Sequence, residues 1–395
     1  MPDGEVIVSR RNFLKSTGAA ALGAALAGGK AMPQEGPDSD RKVRIGVVGG
    51  GFGCSFHWHQ DPNCIVEAVS DLREDRRRRL QEVYGCEKAY ESLEKLILDD
   101  RVDAVAVFTG APDHVRHVTA CMNAGKHVIC AVPAGLTLEE LQRLKETKEK
   151  TGLKYMMAET SYYRWPCITA RKLYEDGRFG DLVYTEAEYY HNMTGDEAKA
   201  LFYYQDKPTW RYGYPPMLYP THSTAFLVGV TRERLTEVYC LGWGDQAPEL
   251  KDNVYKNPLC NEAALYKTSG GNMFRCNVFW RIHAGGERAQ WFGTKLAMYM
   301  PGSGGQPYIV QPEGGPPITQ EPNYWHMVPE TMRVDSGHGA SHPFLTHEFI
   351  RAIVEDREPA VDVYESIAMT APGIVAHESA LRGGERMKVP SFDKA

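Results

Sequence analysis

A chain of 395 residues exceeds what one hydrophobic core ordinarily fills and leaves room for two domains behind a leader. Its apolar fraction of 43% and charged fraction of 24% are those of a globular protein and exclude a disordered chain or a membrane bundle. The formal charge of -6 offers no basic field for a phosphate backbone, so no nucleic-acid partner is expected. Nine cysteines, scattered from Cys54 to Cys276 with no Cys-x-x-Cys pair, read as free thiols.

At the N-terminus, Ser9-Arg10-Arg11-Asn12-Phe13-Leu14-Lys15 precedes a short apolar stretch, Ala19 to Ala27, with small residues at Ala25, Ala27, Gly29 and Ala31 where a peptidase can cut. This resembles a twin-arginine export signal. The apolar run falls well short of the about 20 residues a bilayer requires, so no permanent membrane anchor is expected. The resemblance implies export to the periplasm as a folded protein with its cofactor inside, which is compatible with free thiols. Little free NAD exists there, so a bound nucleotide must be restored within the catalytic cycle or by a second substrate. Three segments are expected: signal and linker over 1–40, a nucleotide-binding domain over 41–160, and a substrate and oligomerisation domain over 161–395.

Val43 to Val48 is a β-branched run that stops at Gly49-Gly50-Gly51-Phe52-Gly53, as a buried strand entering a glycine turn does. A second strand, Ile65 to Ser70, ends at Asp71, 22 residues beyond Gly49. In a dinucleotide fold such glycines let a pyrophosphate approach a helix N-terminus, and the carboxylate binds the ribose hydroxyls. Cys54 stands where the third glycine of the fingerprint belongs. Asp71 favours NAD over NADP, although Arg73 is able to accommodate a 2′-phosphate. The run Arg76 to Arg79 reads as a solvated helix face without function. Strands Ala104 to Phe108, His127 to Cys130 and Tyr155 to Ala158 alternate with helices His114 to Asn123 and Leu138 to Lys150, the order of a doubly wound parallel sheet. The turns Thr109 to Asp113 and Ala131 to Gly135 then lie at its carboxyl edge beside the nicotinamide. Gly49, Gly51, Phe52, Gly53, Asp71, Thr109, His114 and Pro133 are the expected cofactor contacts.

Val102-Asp103-Ala104-Val105 leading to Thr109, followed by Asn123-Ala124-Gly125-Lys126-His127-Val128, resembles the Gfo/Idh/MocA oxidoreductase family. The resemblance covers nearly all of the chain after residue 41. It implies a Rossmann domain, then a C-terminal α/β domain with an open, mostly antiparallel sheet through which members commonly form homo-oligomers, and activity on sugars or cyclitols. Where the family carries Glu-Lys-Pro, with a lysine that assists proton transfer, this chain has Ala131-Val132-Pro133, and Val132 cannot titrate. Val132-Pro133-Ala134, Thr137-Leu138-Glu139-Glu140, Met156-Met157-Ala158-Glu159 and Tyr219-Pro220-Thr221-His222 resemble a branch of that superfamily, the NAD-dependent α-N-acetylgalactosaminidases, although a glutamate is usual at Ala131. That branch transiently oxidises a ring hydroxyl, eliminates the leaving group, adds water and reduces the ring again. The first expectation is an oxidoreductase acting on a carbohydrate ring hydroxyl. A redox-neutral glycosidase is the alternative, and a non-catalytic sugar- or nucleotide-binding protein is a third reading.

Tyr219 and His222 match the catalytic pattern of that branch, with Tyr163 as a third candidate. His222 is expected in the first turn of a helix, where the partial positive end lowers its pKa and keeps it neutral enough to accept a proton. Tyr162 and Tyr163 follow the fifth strand and either close the domain seam or stack on a sugar; Trp210 and Arg211 read as a loop lining the cleft. His338 and His342, in Ser336-Gly337-His338-Gly339-Ala340-Ser341-His342, are candidates for substrate hydrogen bonding or a structural loop, with no metal expected because no partner carboxylate is placed. Leu182 to Tyr190 and Asn272 to Arg281 alternate as antiparallel strands with one solvated or partner-facing side. Pro301 to Pro317 reads as a surface loop.

Overall fold

The computed structural model describes residues 40–302 and 304–394, so the export signal lies outside the described residues. Two sheets organise the chain. The first is parallel and six-stranded: β1 (Val43–Val48), β2 (Cys64–Ser70), β3 (Ala89–Tyr90), β4 (Ala104–Val107), β5 (His127–Cys130) and β6 (Tyr155–Met157), in the order β3-β2-β1-β4-β5-β6. The order reverses between β1 and β4, which opens a crevice at their carboxyl ends where ligands settle in such sheets. Burial on both faces explains why β4 reads as an unbroken apolar run, Ala-Val-Ala-Val, with every residue buried.

The second sheet has eight strands in the order β15-β14-β13-β7-β12-β11-β10-β16, from β7 (Leu182–Tyr190), β10 (Leu235–Trp243), β11 (Asn261–Thr268), β12 (Met273–Phe279), β13 (Gly286–Gly293), β14 (Leu296–Tyr299), β15 (Ile309–Pro312) and β16 (Met387–Lys388). All its pairings are antiparallel except β7 with β12. One face packs on helices, and the other exposes Tyr239, Leu241, Trp243, Leu265 and Met273. The stretch 301–317 is not all loop: β15 pairs with β14, and Tyr308 and Val310 are buried, because their side chains extend the apolar face of the sheet.

Helices from the end of the chain return to the first sheet. Phe344, Leu345, Phe349 and Ile350 of the helix His342–Val354 share the core of β1, β4 and β5. Thr346 Oγ1 donates to Phe56 O (2.6 Å), and Met157 N–H donates to Val361 O (3.1 Å). The core on the N-terminal side is therefore completed by residues some two hundred positions beyond residue 160. All nine cysteines are free, eight of them buried. No helix among the described residues is long and apolar enough to cross a membrane.

Candidate active site

The glycine turn after β1 is shaped by close approach. Gly49 has φ +103°, and a Cβ there would lie 2.1 Å from Phe108 O; one on Gly50 would lie 2.5 Å from Arg76 O. Neither position admits a side chain. Gly51 is open and exposed, with only the Arg76 guanidinium beside it, so a pyrophosphate has access to its backbone. Asp71 braces the turn: its Oδ2 accepts from Gly50 N–H (2.7 Å) and its Oδ1 from Arg73 N–H (2.8 Å). This cradle fits a dinucleotide.

Three expectations about the cradle change. No α-helix follows the glycines; single 3-10 turns, Gly53–Ser55 and Trp58–Gln60, replace it, because His57 sits at φ +55° and breaks the helical path. An anion at this turn would meet turn N–H groups rather than the dipole of a helix. The basic run is not a featureless face, since Arg76 borders Gly51 and Arg77 Nη1 donates to Asp71 O (2.7 Å). His114 brings one ring nitrogen to 2.8 Å from Pro133 O and the other to 3.1 Å from Thr109 O, and with burial lowering its pKa it carries one N–H and donates to one of the two carbonyls. It ties the loops after β4 and β5 together and has no nitrogen left for a nucleotide. Thr109 Oγ1 is itself engaged by His117 Nδ1 (2.9 Å). Phe52 and Gly53 line the turn, with the Phe52 ring 5.4 Å from Phe108 and 5.6 Å from His338. The buried side chains of Ala131 and Val132 leave an apolar surface where the family's lysine would stand.

Facing the crevice, the helix Thr221–Thr231 begins with His222 in its first turn. His222 Nδ1 lies 2.8 Å from Glu159 Oε1, and both groups are buried. Burial alone would push the histidine down, but the charge and hydrogen bond of Glu159, with Glu287 beyond, reverse this and hold it above its usual value. The helix end is therefore not what sets its proton affinity. Burial pushes the Glu159 carboxyl up, and its pairing with His222 outweighs that and holds it low. The Tyr219 ring is 5.2 Å from the imidazole, Tyr189 is 4.7 Å from it, and His338 is 6.3 Å away and nearly parallel. Burial raises the Tyr219 phenol, partly countered by the charge and hydrogen bond of Arg211, so it stays protonated at neutral pH. The Arg211 guanidinium lies over Trp210 (4.3 Å) and beside Tyr219 (5.7 Å).

Beneath this group, Arg164 forms a two-pronged pair with Glu287: Nε donates to Oε2 (2.8 Å) and Nη2 to Oε1 (2.7 Å). Ser161 Oγ donates to the same Oε2 (2.6 Å) and lies 3.3 Å from His222 Nδ1. Burial works against the Glu287 charge, yet Arg164 and His222 hold its carboxyl at about 2. Sequence reasoning missed Glu287, Arg164, Ser161 and Tyr189. Glu159 was visible only within a family motif, because its 63-residue separation from His222 carries no periodic signal.

The two tyrosines after β6 do not join the cluster. Tyr162 packs under the helix Thr221–Thr231, its ring against Gly229 and 3.7 Å from the Arg171 guanidinium. Tyr163 is buried and stacked on Phe344 (6.0 Å). The 3-10 turn Thr160–Tyr163 brings Ser161, not Tyr163, towards His222.

His342 Nδ1 faces Ser55 O (3.1 Å), so it donates there, and its Nε2 accepts from His338 Nδ1 (3.0 Å). With its two nitrogens so used, His338 and His342 form a hydrogen-bonded pair, and no group of three metal-ligating side chains exists among the described residues. His338, Gly339 and Ala340 all have positive φ, and this backbone holds the exposed His338 ring opposite His222.

Burial, then the neighbouring His338, pushes His342 down to about 3. A folded pKa below the unfolded value of about 6.5 means that the unfolded chain takes up the proton first as pH falls, so this contribution to stability is intact above pH ~6.5 and declines towards 3. Between pH 7 and pH 5 the native protein is expected to lose about 2 kcal/mol through this group. His342→Gln should flatten the pH dependence of the urea midpoint by a corresponding amount. An unchanged slope would show that His342 is not held neutral.

Residues 43–159 match the family described as oxidoreductase family, NAD-binding Rossmann fold, and residues 321–395 match the C-terminal domain of glycosyl hydrolase 109. Residues 8–27 match the twin-arginine translocation pathway signal sequence, so the chain is exported. A glycosyl hydrolase family 109 protein of Solibacter usitatus is 26% identical, over 98% of this chain and 97% of its own. One from Streptomyces coelicolor is 24% identical, over 89% of this chain and 83% of its own. Among solved structures, levoglucosan dehydrogenase in complex with NADH and L-sorbose superposes with a TM-score of 0.73 at 17% identity, covering 89% of this chain and all of that one, a likeness of fold.

Proposed function

We propose, from a chain that belongs to the Gfo/Idh/MocA family and carries the C-terminal domain of glycosyl hydrolase 109, that this NAD-binding exported protein is a redox-neutral glycoside hydrolase. The observation that carries the reading is the exchange of proton-handling posts. Buried Ala131 and Val132 stand where the family resemblance implies the dehydrogenase lysine, while Glu159 and Tyr219 gather around His222.

Gly49, Gly50, Gly51 and Asp71 would hold the dinucleotide, with Arg76 bordering the turn that would receive its pyrophosphate. When bound there, NAD would supply reversible oxidation of one ring carbon, accepting and later returning a hydride, and so acidify the neighbouring C–H. His222, oriented and made more basic by Glu159, would take the hydroxyl proton released in that oxidation, pass it to solvent, and then remove the acidified C–H proton. Tyr219, protonated at neutral pH, donates to the departing glycosidic oxygen, and the same pair serves the addition of water in reverse. Trp210, Arg211 and His338 line the space for a sugar, the apolar ring face meeting the indole and the hydroxyls meeting guanidinium and imidazole. Relatives named as glycosyl hydrolases support this reading over net oxidation.

The test is a panel of aryl glycosides, beginning with α-N-acetylgalactosaminides, in heavy water. Phenol release without accumulated NADH, with deuterium entering the sugar product, is expected. Stoichiometric NADH from a free sugar, with no aryl glycoside cleaved, would overturn it in favour of an oxidoreductase acting on a ring hydroxyl.

A further inference from the structure

Between β7 and the helix that carries His222, the chain leaves the second sheet and reaches the first at two points. The helix Gly195–Phe202 is followed by a hairpin, Tyr203–Tyr204 paired with Lys207–Pro208. Gln205 and Asp206 at its tip both have positive φ, as a tight two-residue hairpin turn requires. At the first point Tyr204 lies on the Arg73 guanidinium, 4.2 Å from ring centre to Cζ. At the second, the Trp210 indole lies on Gly110 so closely that a Cβ there would be 2.8 Å from Cδ1.

These contacts bracket the nucleotide crevice. Arg73 follows Asp71 at the end of β2, the ribose post; Gly110 lies in the turn after β4, the nicotinamide side; β1 and its glycine turn run between them in the strand order. The segment 203–210 therefore crosses the mouth of the site from one flank to the other. Its footing is firm. Phe202 is buried in the second core, Thr209 N–H donates to Phe202 O (2.8 Å), and Tyr255 Oη donates to Trp210 O (2.6 Å). Asp75 holds the far side of the Arg73 guanidinium, with Nε to Oδ1 at 3.1 Å and Nη2 to Oδ2 at 2.6 Å, so the cation is fixed under the Tyr204 ring.

We propose that Tyr204 is a nucleotide-retaining residue: the hairpin straps NAD into its crevice, and the Tyr204–Arg73 contact governs how fast the nucleotide leaves. Retention suits a protein that is exported folded, since nucleotide lost outside the cytoplasm is not replaced. The strap works whether the chemistry is hydrolysis or net oxidation.

The test needs no glycoside. Protein carrying unlabelled NAD is mixed with excess isotopically labelled NAD, and exchange is followed by separating protein from free nucleotide. A cation–π contact of this kind corresponds to about 3–30-fold in rate, so Tyr204→Ala should accelerate exchange by that factor, Tyr204→Phe should restore slow exchange, and Lys207→Ala on the facing strand should not change it. In an Arg73→Gln background, Tyr204→Ala should add little. Native-like exchange in Tyr204→Ala, or a full additional effect in the Arg73→Gln background, overturns the proposal, as does equal acceleration by Lys207→Ala, which would mean general loosening of the hairpin.

Discussion

Replacing His222 by alanine is expected to lower turnover by about 10²–10⁴-fold, the usual worth of a positioned general base, while bound NAD remains at its native level. The imidazole has no role in the glycine cradle, so nucleotide content, read after denaturing the protein, is a control for folding. Tyr219→Phe removes the phenolic proton but keeps the ring that packs beside Tyr189 and Trp280, and it should lose a comparable factor. Glu159→Gln is more discriminating. Its carboxylate raises the proton affinity of His222, so its removal should move the acid limb of the rate profile to lower pH, because the neutral imidazole then persists to greater acidity. Normal turnover in both His222→Ala and Tyr219→Phe would reduce the Tyr-Pro-Thr-His segment to a helix start.

The second large effect is on stability. Arg164→Ala should cost about 3–5 kcal/mol, the penalty for leaving a buried charge without its partner. Glu287 is buried, and after the substitution Ser161 Oγ would be its one remaining side-chain hydrogen-bond donor among the described residues. The pair joins β13 of the second sheet to the segment leaving the first, so the loss should appear in the denaturant midpoint and also disturb the floor under His222. A double variant, Arg164→Met with Glu287→Leu, should recover most of the stability, since neither charge is then stranded. A midpoint within experimental error of native in Arg164→Ala would mean that water reaches Glu287 and solvates it.

Where local chemistry is complete within a short stretch, the sequence was sufficient. The β1 strand, its glycine turn and Asp71 were legible because close packing and positive φ demand glycine at Gly49, and because a strand buried on both faces is nearly continuously apolar, Arg44 being the one charged residue of β1 and only partly buried. His222 at a helix start was legible from Pro220 and the apolar run beyond it. Misreadings arose where a side chain's direction depends on what packs behind it. Tyr162 and Tyr163 follow Glu159 closely in sequence, yet a 3-10 turn sends both rings into the core, Tyr162 under the helix Thr221–Thr231 and Tyr163 against Phe344 of the returning helix His342–Val354. The Arg76 to Arg79 run has the composition of any solvated helix, and only the approach of that helix to Gly50 gives Arg76 a place at the nucleotide turn.

The sequence by itself carried the family resemblance, the export signal, the glycine turn with Asp71 and the absence of a titratable group at Val132, because each resides in the identity of residues close together in the chain. The tertiary structure decided which distant groups stand together, and the proposed proton handling and the proposed strap rest on those groupings. Glu159 meets His222, Arg164 meets Glu287 and Tyr204 meets Arg73 across 63, 123 and 131 positions. Such pairs leave no periodic trace in the chain; they form because packing two sheets against shared helices brings distant charges and rings together, and for the two buried charge pairs a lowered dielectric makes the partnership decisive.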